Sequence, residues 1–241
     1  MKQSLNESKT FFVLEGNIGA GKSTFLEILN RKIGYQVLFE PTDKWQDVDG
    51  GGNLLDLFYK NKKRWAYTFQ SYAFITRVED VIKARMNLKN NVLISERSVY
   101  CDRYCFAKNC FEDDNMTALE WQIYKQWFNW LMQGYMQKPD GFVYLRVCPQ
   151  VCYKRLIKRD RSEEIDVSVT YLEKLHKKHE DWLINKKELD DNILDIPVLV
   201  LECDNDFEND IVEQEKHIES LKTFIYKLKK DSDRSIKSIQ I

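Results

Sequence analysis

The chain has 241 residues, enough for one sizeable core, and 43% hydrophobic with 31% charged residues suits a soluble globular protein rather than a disordered one. A formal net charge of −1 excludes general affinity for nucleic acid, which needs a basic surface to displace counterions from phosphates. Six cysteines, Cys101, Cys105, Cys110, Cys148, Cys152 and Cys203, contain no CxxC pair, and His176 and His179 lie in a lysine-rich helical stretch, so neither zinc nor redox spacing appears.

In chain order, residues 1–10 read as a polar, flexible tail without the apolar core of a signal peptide. Reduced cysteines then point to a cytoplasmic compartment, and no apolar run approaches the ~20 residues of a membrane span. Five short apolar runs predict strands: FFVLE (11–15), YQVLFE (35–40), NVLISE (91–96), GFVYLRV (141–147) and PVLVLEC (197–203). They are nearly continuous rather than alternating, as strands covered on both faces should be.

Helical patterns separate these runs. Phe25, Ile28, Leu29 and Ile33 mark one face after the first strand, and Trp65, Phe69, Tyr72 and Ala73 mark another before the third. Residues 118–137 carry enough aromatics to be buried along much of a helix, as core or as subunit interface. Alternating strands and helices predict a single α/β domain over 1–241 with a five-stranded parallel sheet, and ligands at the carboxyl ends of its strands. Three of those strands are expected to end in a carboxylate, at Glu15, Glu40 and Glu96. The C-terminal residues from about 230 to 241 read as a second flexible tail.

GNIGAGKS (16–23) follows the first strand and opens a helix, matching G-x4-G-K-[ST]. Gly16, Asn17, Ile18, Gly19, Ala20 and Gly21 form a loop whose backbone N–H groups can turn around phosphate oxygens. Lys22 adds a point charge, the Ser23 hydroxyl can reach Mg²⁺, and Thr24 continues the cradle. A nucleoside triphosphate is therefore the expected donor. No N-K-x-D guanine reader follows; NKKE (185–188) falls inside an expected charged helix and lacks the aspartate. At the end of the second run, Pro41 biases Glu40 towards extended geometry, where its carboxylate is either a general base for an attacking hydroxyl or half of a strand-end salt bridge.

EP...W (40, 41, 45), LLDLFY (54–59), RWAYTFQSYAFITR (64–77), ERSVYCDRY (96–104), KRLIKRDRSEE (154–164), YLEKLHKKHEDWL (171–183) and DNDF (204–207) follow the P-loop in order. Over residues 11–210 the chain strongly resembles the deoxynucleoside kinases, especially the deoxycytidine/deoxyguanosine kinase branch. The resemblance implies a P-loop kinase fold, ATP or another nucleoside triphosphate as donor, Mg²⁺, a deoxynucleoside acceptor and a homodimer formed through helices like that at 118–137. It implies Glu40 as the base that takes the 5′-hydroxyl proton, Arg97 beside it to stabilise the moving phosphoryl group, and Glu96 with Ser23 at the metal.

It further implies that Tyr59 and Glu164 hold the sugar 3′-hydroxyl, that Gln70 reads the base edge, and that Ile18, Trp45, Leu55, Phe58, Phe69 and Phe106 form the apolar slot. KRLIKRDRSEE resembles an arginine lid over about 155–166. Arg155 and Arg159 share a helix face, Arg161 lies past the expected helix break, and Asp206 with Phe207 completes the donor side. Ala73, Arg77 and Asp102 match the deoxycytidine-type set, predicting deoxycytidine first, deoxyadenosine and deoxyguanosine also, and thymidine poorly. Arg103 is left with a salt bridge. The alternatives are a thymidine-accepting or broad-specificity deoxynucleoside kinase, a nucleoside monophosphate kinase, or a scaffold that binds nucleotide without chemistry; an intact P-loop, Glu40 and lid weigh against the last.

Overall fold

Five strands join in one all-parallel sheet in the computed structural model, which describes residues 9–89 and 91–239. They are β1 (Thr10–Glu15), β2 (Gln36–Leu38), β3 (Val92–Glu96), β4 (Gly141–Arg146) and β5 (Val198–Glu202), in the order β2-β3-β1-β4-β5. The central strands β1 and β3 are buried throughout, as their unbroken apolar runs require, while the edge strands β2 and β5 are half-buried along most of their length. In β1, Phe12 and Leu14 face one side and Phe11 and Val13 the other, and each pair enters a different core layer.

The helices in chain order are α1 (Lys22–Ile33), α2 (Thr42–Gln46), α3 (Leu54–Lys60), α4 (Lys62–Met86), α5 (Val99–Cys101), α6 (Lys108–Glu112), α7 (Ala118–Gly134), α8 (Pro149–Arg159), α9 (Val169–His179), α10 (Asp191–Leu194) and α11 (Ile211–Ile239). Two π-helical stretches, Asp102–Ala107 and Glu180–Ile184, continue α5 and α9. Residues of α1, α8, α9 and α11 pack on the Phe12/Leu14 face, and residues of α4, α5 and α7 on the other. A third cluster, built from Trp45, Leu55, Phe58, Phe69, Ala73 and Tyr124, stands above the carboxyl ends of the strands. Among the described residues no helix is long and apolar enough to cross a membrane.

Four expectations change. β2 stops at Leu38, where its pairing with Ser95 ends, so Glu40 lies two residues beyond the strand in a turn closed by Thr42 N–H donating to Glu40 C=O at 2.8 Å. Glu202, not Glu40, is the third carboxylate that ends a strand. α7 buries Trp121, Tyr124 and Phe128 but turns Leu119, Trp127 and Trp130 outward, so it is two-faced rather than buried along much of its girth. NKKE (185–188) is irregular, with positive φ at Lys186 and Glu188, because the preceding helix ends at Ile184.

The tails also differ from expectation. Thr10 already pairs in β1 and is buried, and the chain continues as helix to Ile239. Residues 1–8 and 240–241 of the expected tails lie outside the described residues.

Candidate active site

The loop between β1 and α1 curls where side chains would collide. A Cβ on Gly19 (φ +76°) would sit 2.3 Å from the Cys152 carbonyl oxygen, and one on Gly21 (φ +90°) would sit 2.7 Å from Phe207 Cζ. Asn17 fastens the loop by donating from Nδ2 to the Leu172 carbonyl at 2.8 Å and accepting from Ile18 N–H at Oδ1, and Ala20 N–H donates to the Asn17 carbonyl. Lys22 Nζ donates to the Gly16 and Asn17 carbonyls at 3.2 and 2.8 Å. Burial first, and then the Arg97 charge, bring the Lys22 ammonium down to about 8. An anion entering the loop would restore the favoured charge.

Two cavities meet over this loop. The first cavity, about 260 Å³, is lined by every residue expected at the nucleoside: Ile18, Trp45, Leu55, Phe58, Tyr59, Phe69, Gln70, Ala73, Arg77, Asp102, Phe106 and Glu164. Glu40, Arg97 and Glu96 border it as well, together with Phe39 and Thr42, which sequence reasoning missed. Phe39 stands 42% exposed within an apolar run, and that exposure is invisible until the strand is known to stop short. Phe69 stacks on Phe58 at 4.6 Å and meets Trp45 edge-on at 5.5 Å, so the aromatic wall is braced without ligand. Gln70 is 1% exposed, yet its Nε2 has no hydrogen-bond partner among the described residues. A buried orphan donor costs about 1–3 kcal/mol, which a ligand acceptor would recover.

Charge at the centre is organised by Arg77. Its Nε and Nη2 donate to Asp102 at 2.9 and 3.2 Å, Nη2 also to Glu40 Oε1 at 2.8 Å, and Nη1 to the Glu96 carbonyl at 3.1 Å. The pair expected beside the base thus extends to Glu40. Arg97 Nε lies 3.3 Å from the same Glu40 oxygen, on a backbone held at φ +58° and anchored by its N–H to the Leu14 carbonyl. Burial alone would push the Glu40 carboxyl up, but Arg97, Arg77 and Lys22 hold it well below the usual range, so it is ionised. Burial pushes the Asp102 carboxyl up against the pull of Arg77; the two-pronged contact identifies the ionised form. Ser23 Oγ donates to both Glu96 oxygens at 3.0 Å, a hydroxyl and carboxylate pair of the oxygen type that Mg²⁺ takes.

α8 ends at Arg159 because Asp160 turns left-handed (φ +54°), and a 3₁₀ turn, Ser162–Glu164, follows. Arg159 Nη2 and Arg161 Nη1 both donate to Glu164, whose side chain is 5% exposed. Sequence reasoning missed Glu163: Gln46 Nε2 and Asn53 Nδ2 each donate to it at 2.8 Å, tying the expected lid to the wall of the first cavity. Its acidic neighbour Glu164 masked it, since nothing in SEE separates the two roles.

The second cavity, about 540 Å³, shares Gly19, Lys22, Ser23, Glu96 and Arg159 with the first and adds Gly21, Thr24, Arg155, Asp206 and Phe207, which were expected on the donor side. Arg155 is committed to protein carbonyls, donating to Ala20, Cys203 and Asn205, so it shapes the floor rather than standing free. Phe207 packs edge-on against Phe25, and Asp206 accepts from Glu208 N–H in a local turn. Gly16, Asn17 and Ala20 line neither cavity and act through the loop's shape. Lys154 and Lys158, missed by the sequence reading, line the second cavity one helical turn apart beside the arginines. Arg103 makes no ion pair among the described residues and instead covers the Trp121 ring at 4.3 Å.

Glu15 lies beneath the site, fully buried, accepting from Ser98 N–H and Oγ. Burial pushes its carboxyl up to about 7 despite the Ser98 hydrogen bond. The folded state therefore keeps a proton that the unfolded chain loses. Stability is fully present below pH ~4.5 and is lost as pH rises through about 7, by about 3 kcal/mol. Melting curves of metal-free protein between pH 5 and 8 should fall accordingly, and Glu15→Gln should flatten that decline.

Comparison with known proteins gives this geometry relatives. Residues 12–226 match the deoxynucleoside kinase family. The chain is 42% identical to deoxycytidine kinase 2 of Gallus gallus over 235 aligned positions, covering 88% of this chain and 89% of that protein. It is 37% identical to the deoxycytidine kinase of Homo sapiens over 236 positions, at 88% and 89% coverage. Against the mitochondrial deoxyguanosine kinase of Xenopus laevis it is 36% identical over 233 positions, covering 88% of each.

Proposed function

The chain belongs to the deoxynucleoside kinase family, and from that premise we propose that it moves the γ-phosphate of ATP to the 5′-hydroxyl of deoxycytidine, with deoxyadenosine and deoxyguanosine also accepted. The activity is that of an ATP-dependent deoxynucleoside kinase, and its product feeds nucleotide salvage. The observation that carries the base preference is the Arg77–Asp102–Glu40 chain of contacts. Asp102 oxygens fixed beside the base accept from an exocyclic amine such as cytosine N4 but repel the O4 carbonyl of thymine. Gln70 tolerates either base because its amide offers a donor and an acceptor.

In this reading Glu40 receives the 5′-hydroxyl proton while Arg97 and Arg77 fix its carboxylate. A base held this far down is weak, which suits phosphoryl transfer through a loose transition state, where aiming the nucleophile matters more than stripping its proton early. Arg97 also meets charge building on the transferred group, and Lys22 with the loop N–H groups holds the triphosphate. Ser23 and Glu96 would hold Mg²⁺, which when bound neutralises phosphate charge. Tyr59 and Glu164 hold the 3′-hydroxyl, so Glu164 couples sugar to the lid through Arg159 and Arg161. Arg97 and Tyr59 crowd the face of the ring where a ribose 2′-hydroxyl would stand. We further read the chain as one kinase domain in a cytoplasmic homodimer, with the exposed Trp127 and Trp130 face of α7 as the contact.

Transfer from γ-labelled ATP to four deoxynucleosides and to deoxycytidine monophosphate tests the reading. Deoxycytidine should be labelled fastest at equal low concentration. Faster labelling of thymidine would overturn the base preference, and faster labelling of the monophosphate would overturn the acceptor. The sugar assignment has its own measurement. Glu164→Gln should lower kcat/KM for deoxycytidine by about 10- to 100-fold, or about 1.4–2.8 kcal/mol. It should change turnover of 2′,3′-dideoxycytidine far less; equal losses on both would separate Glu164 from the 3′-hydroxyl.

A further inference from the structure

Outside both cavities, beneath the loop that carries Arg97, three soft donors converge. Cys101 closes α5, Cys105 lies four residues on in the first π-helical stretch, and His179 closes α9 immediately before the second. All three side chains are buried to 0% exposure, and Cys101 Sγ, Cys105 Sγ and a His179 ring nitrogen lie within 4.8 Å of one another. We propose that Cys101, Cys105 and His179 form a buried site for a divalent cation of the zinc class.

The geometry fits before any ion enters. Cys101 Sγ and His179 Nε2 are 3.5 Å apart. Across a tetrahedral zinc, bonds of about 2.3 Å to sulfur and about 2.0–2.1 Å to nitrogen put those atoms about 3.6 Å apart. His179 is also oriented: Nδ1 lies 2.7 Å from the Leu175 carbonyl, so its N–H is spent there and the Nε2 lone pair faces the sulfurs. The ring stacks parallel on Tyr144 at 5.9 Å, which fixes its plane.

Two thiolates and an imidazole select zinc, cobalt(II) or cadmium over magnesium, which prefers oxygen. The Arg97 guanidinium, 3.9 Å from Cys101 Sγ, offsets thiolate charge. Ser98 accepts from Cys101 N–H at its hydroxyl and donates to Glu15, linking this group to the buried carboxyl, and the fourth position is left for water. Such an ion would pin the segment bearing Arg97 and Asp102 to α9. A second thiol–imidazole pair, Cys203 and His217 at 3.6 Å, has no third soft donor among the described residues and serves as the comparison.

Cobalt(II) is the probe. The full chain, produced in cobalt-supplemented medium and kept reduced, should carry one cobalt with tetrahedral absorption and a thiolate-to-cobalt charge-transfer band, displaced by zinc. Cys101→Ser and Cys105→Ser should each lower retained cobalt by about tenfold or more, whereas Cys148→Ser and Cys203→Ser should not. Should a variant fail to fold, native mass spectra of the unsubstituted chain should still show one added zinc and no magnesium at this site. A chain that retains no cobalt or zinc, or a charge-transfer band that survives in the Cys101→Ser/Cys105→Ser double variant, would overturn the proposal.

Discussion

Glu40→Gln should lower kcat by about 10²- to 10⁴-fold, the usual range for a lost general base, and KM for deoxycytidine should move far less. Gln keeps the shape and can still accept from Arg77, so the cavity should survive. The charge is what disappears, and two guanidiniums that shared one Glu40 oxygen, Arg77 at 2.8 Å and Arg97 at 3.3 Å, then face each other across a neutral amide. A loss of about 2 kcal/mol in folding stability should accompany the kinetic loss, smaller than the cost of a wholly unpaired buried charge because Arg77 keeps Asp102. Steady-state kinetics beside a denaturant melt separate the two. A kcat within threefold of the parent chain would remove Glu40 from the proton transfer.

The second large effect concerns base choice. Arg77→Met alone leaves Asp102, 3% exposed, without its partner and should cost about 3–5 kcal/mol in stability. Arg77→Met with Asp102→Ala removes both charges and should be the more stable of the two variants, because no uncompensated ion stays inside. In the double variant the ratio of kcat/KM for thymidine to that for deoxycytidine should rise by about 100-fold or more, about 2.7 kcal/mol of changed discrimination. Its kcat on any base should also fall, since Glu40 loses one of its two arginines. That coupling was not expected from the sequence, where the arginine appears only as a neighbour of the base. Competition assays with paired substrates would measure it, and an unchanged ratio would detach base preference from this pair.

Much of the donor side was legible in the chain itself. The P-loop is a local object: its glycines, lysine and serine are consecutive, and the strand and helix around it are set by apolar periodicity over a few residues. The residues proposed for the acceptor were read through family resemblance, and all twelve line one cavity. What each touches was less legible. Arg155 looked like a phosphate ligand because it shares a helix face with Arg159, yet it is spent on carbonyls of the P-loop and the segment after β5. Helical spacing tells which way a side chain points, not which partner reaches it first.

Glu40 shows the same limit on the scale of a strand. The apolar run 35–40 reads as continuous, but a strand lasts only while a neighbour pairs with it, and β3 pairs with β2 no further than Leu38. Arg103 looked like half of an ion pair and lies instead on Trp121, eighteen positions away, because the π-helical stretch carries it toward α7.

By itself the sequence determined the order of strands and helices and the phosphate loop, because each depends on periodicity or on residues adjacent in the chain, whereas the kind of acceptor was legible only through resemblance to a family. Only the tertiary structure decided that Arg77 reaches both Asp102 and Glu40, that Glu163 clamps the lid, and that Cys101, Cys105 and His179 meet. The cysteines carry no zinc spacing because their third partner lies more than seventy positions on. A sheet that brings β1, β3 and β4 side by side sets such distances in space, and chain separation leaves no trace of them.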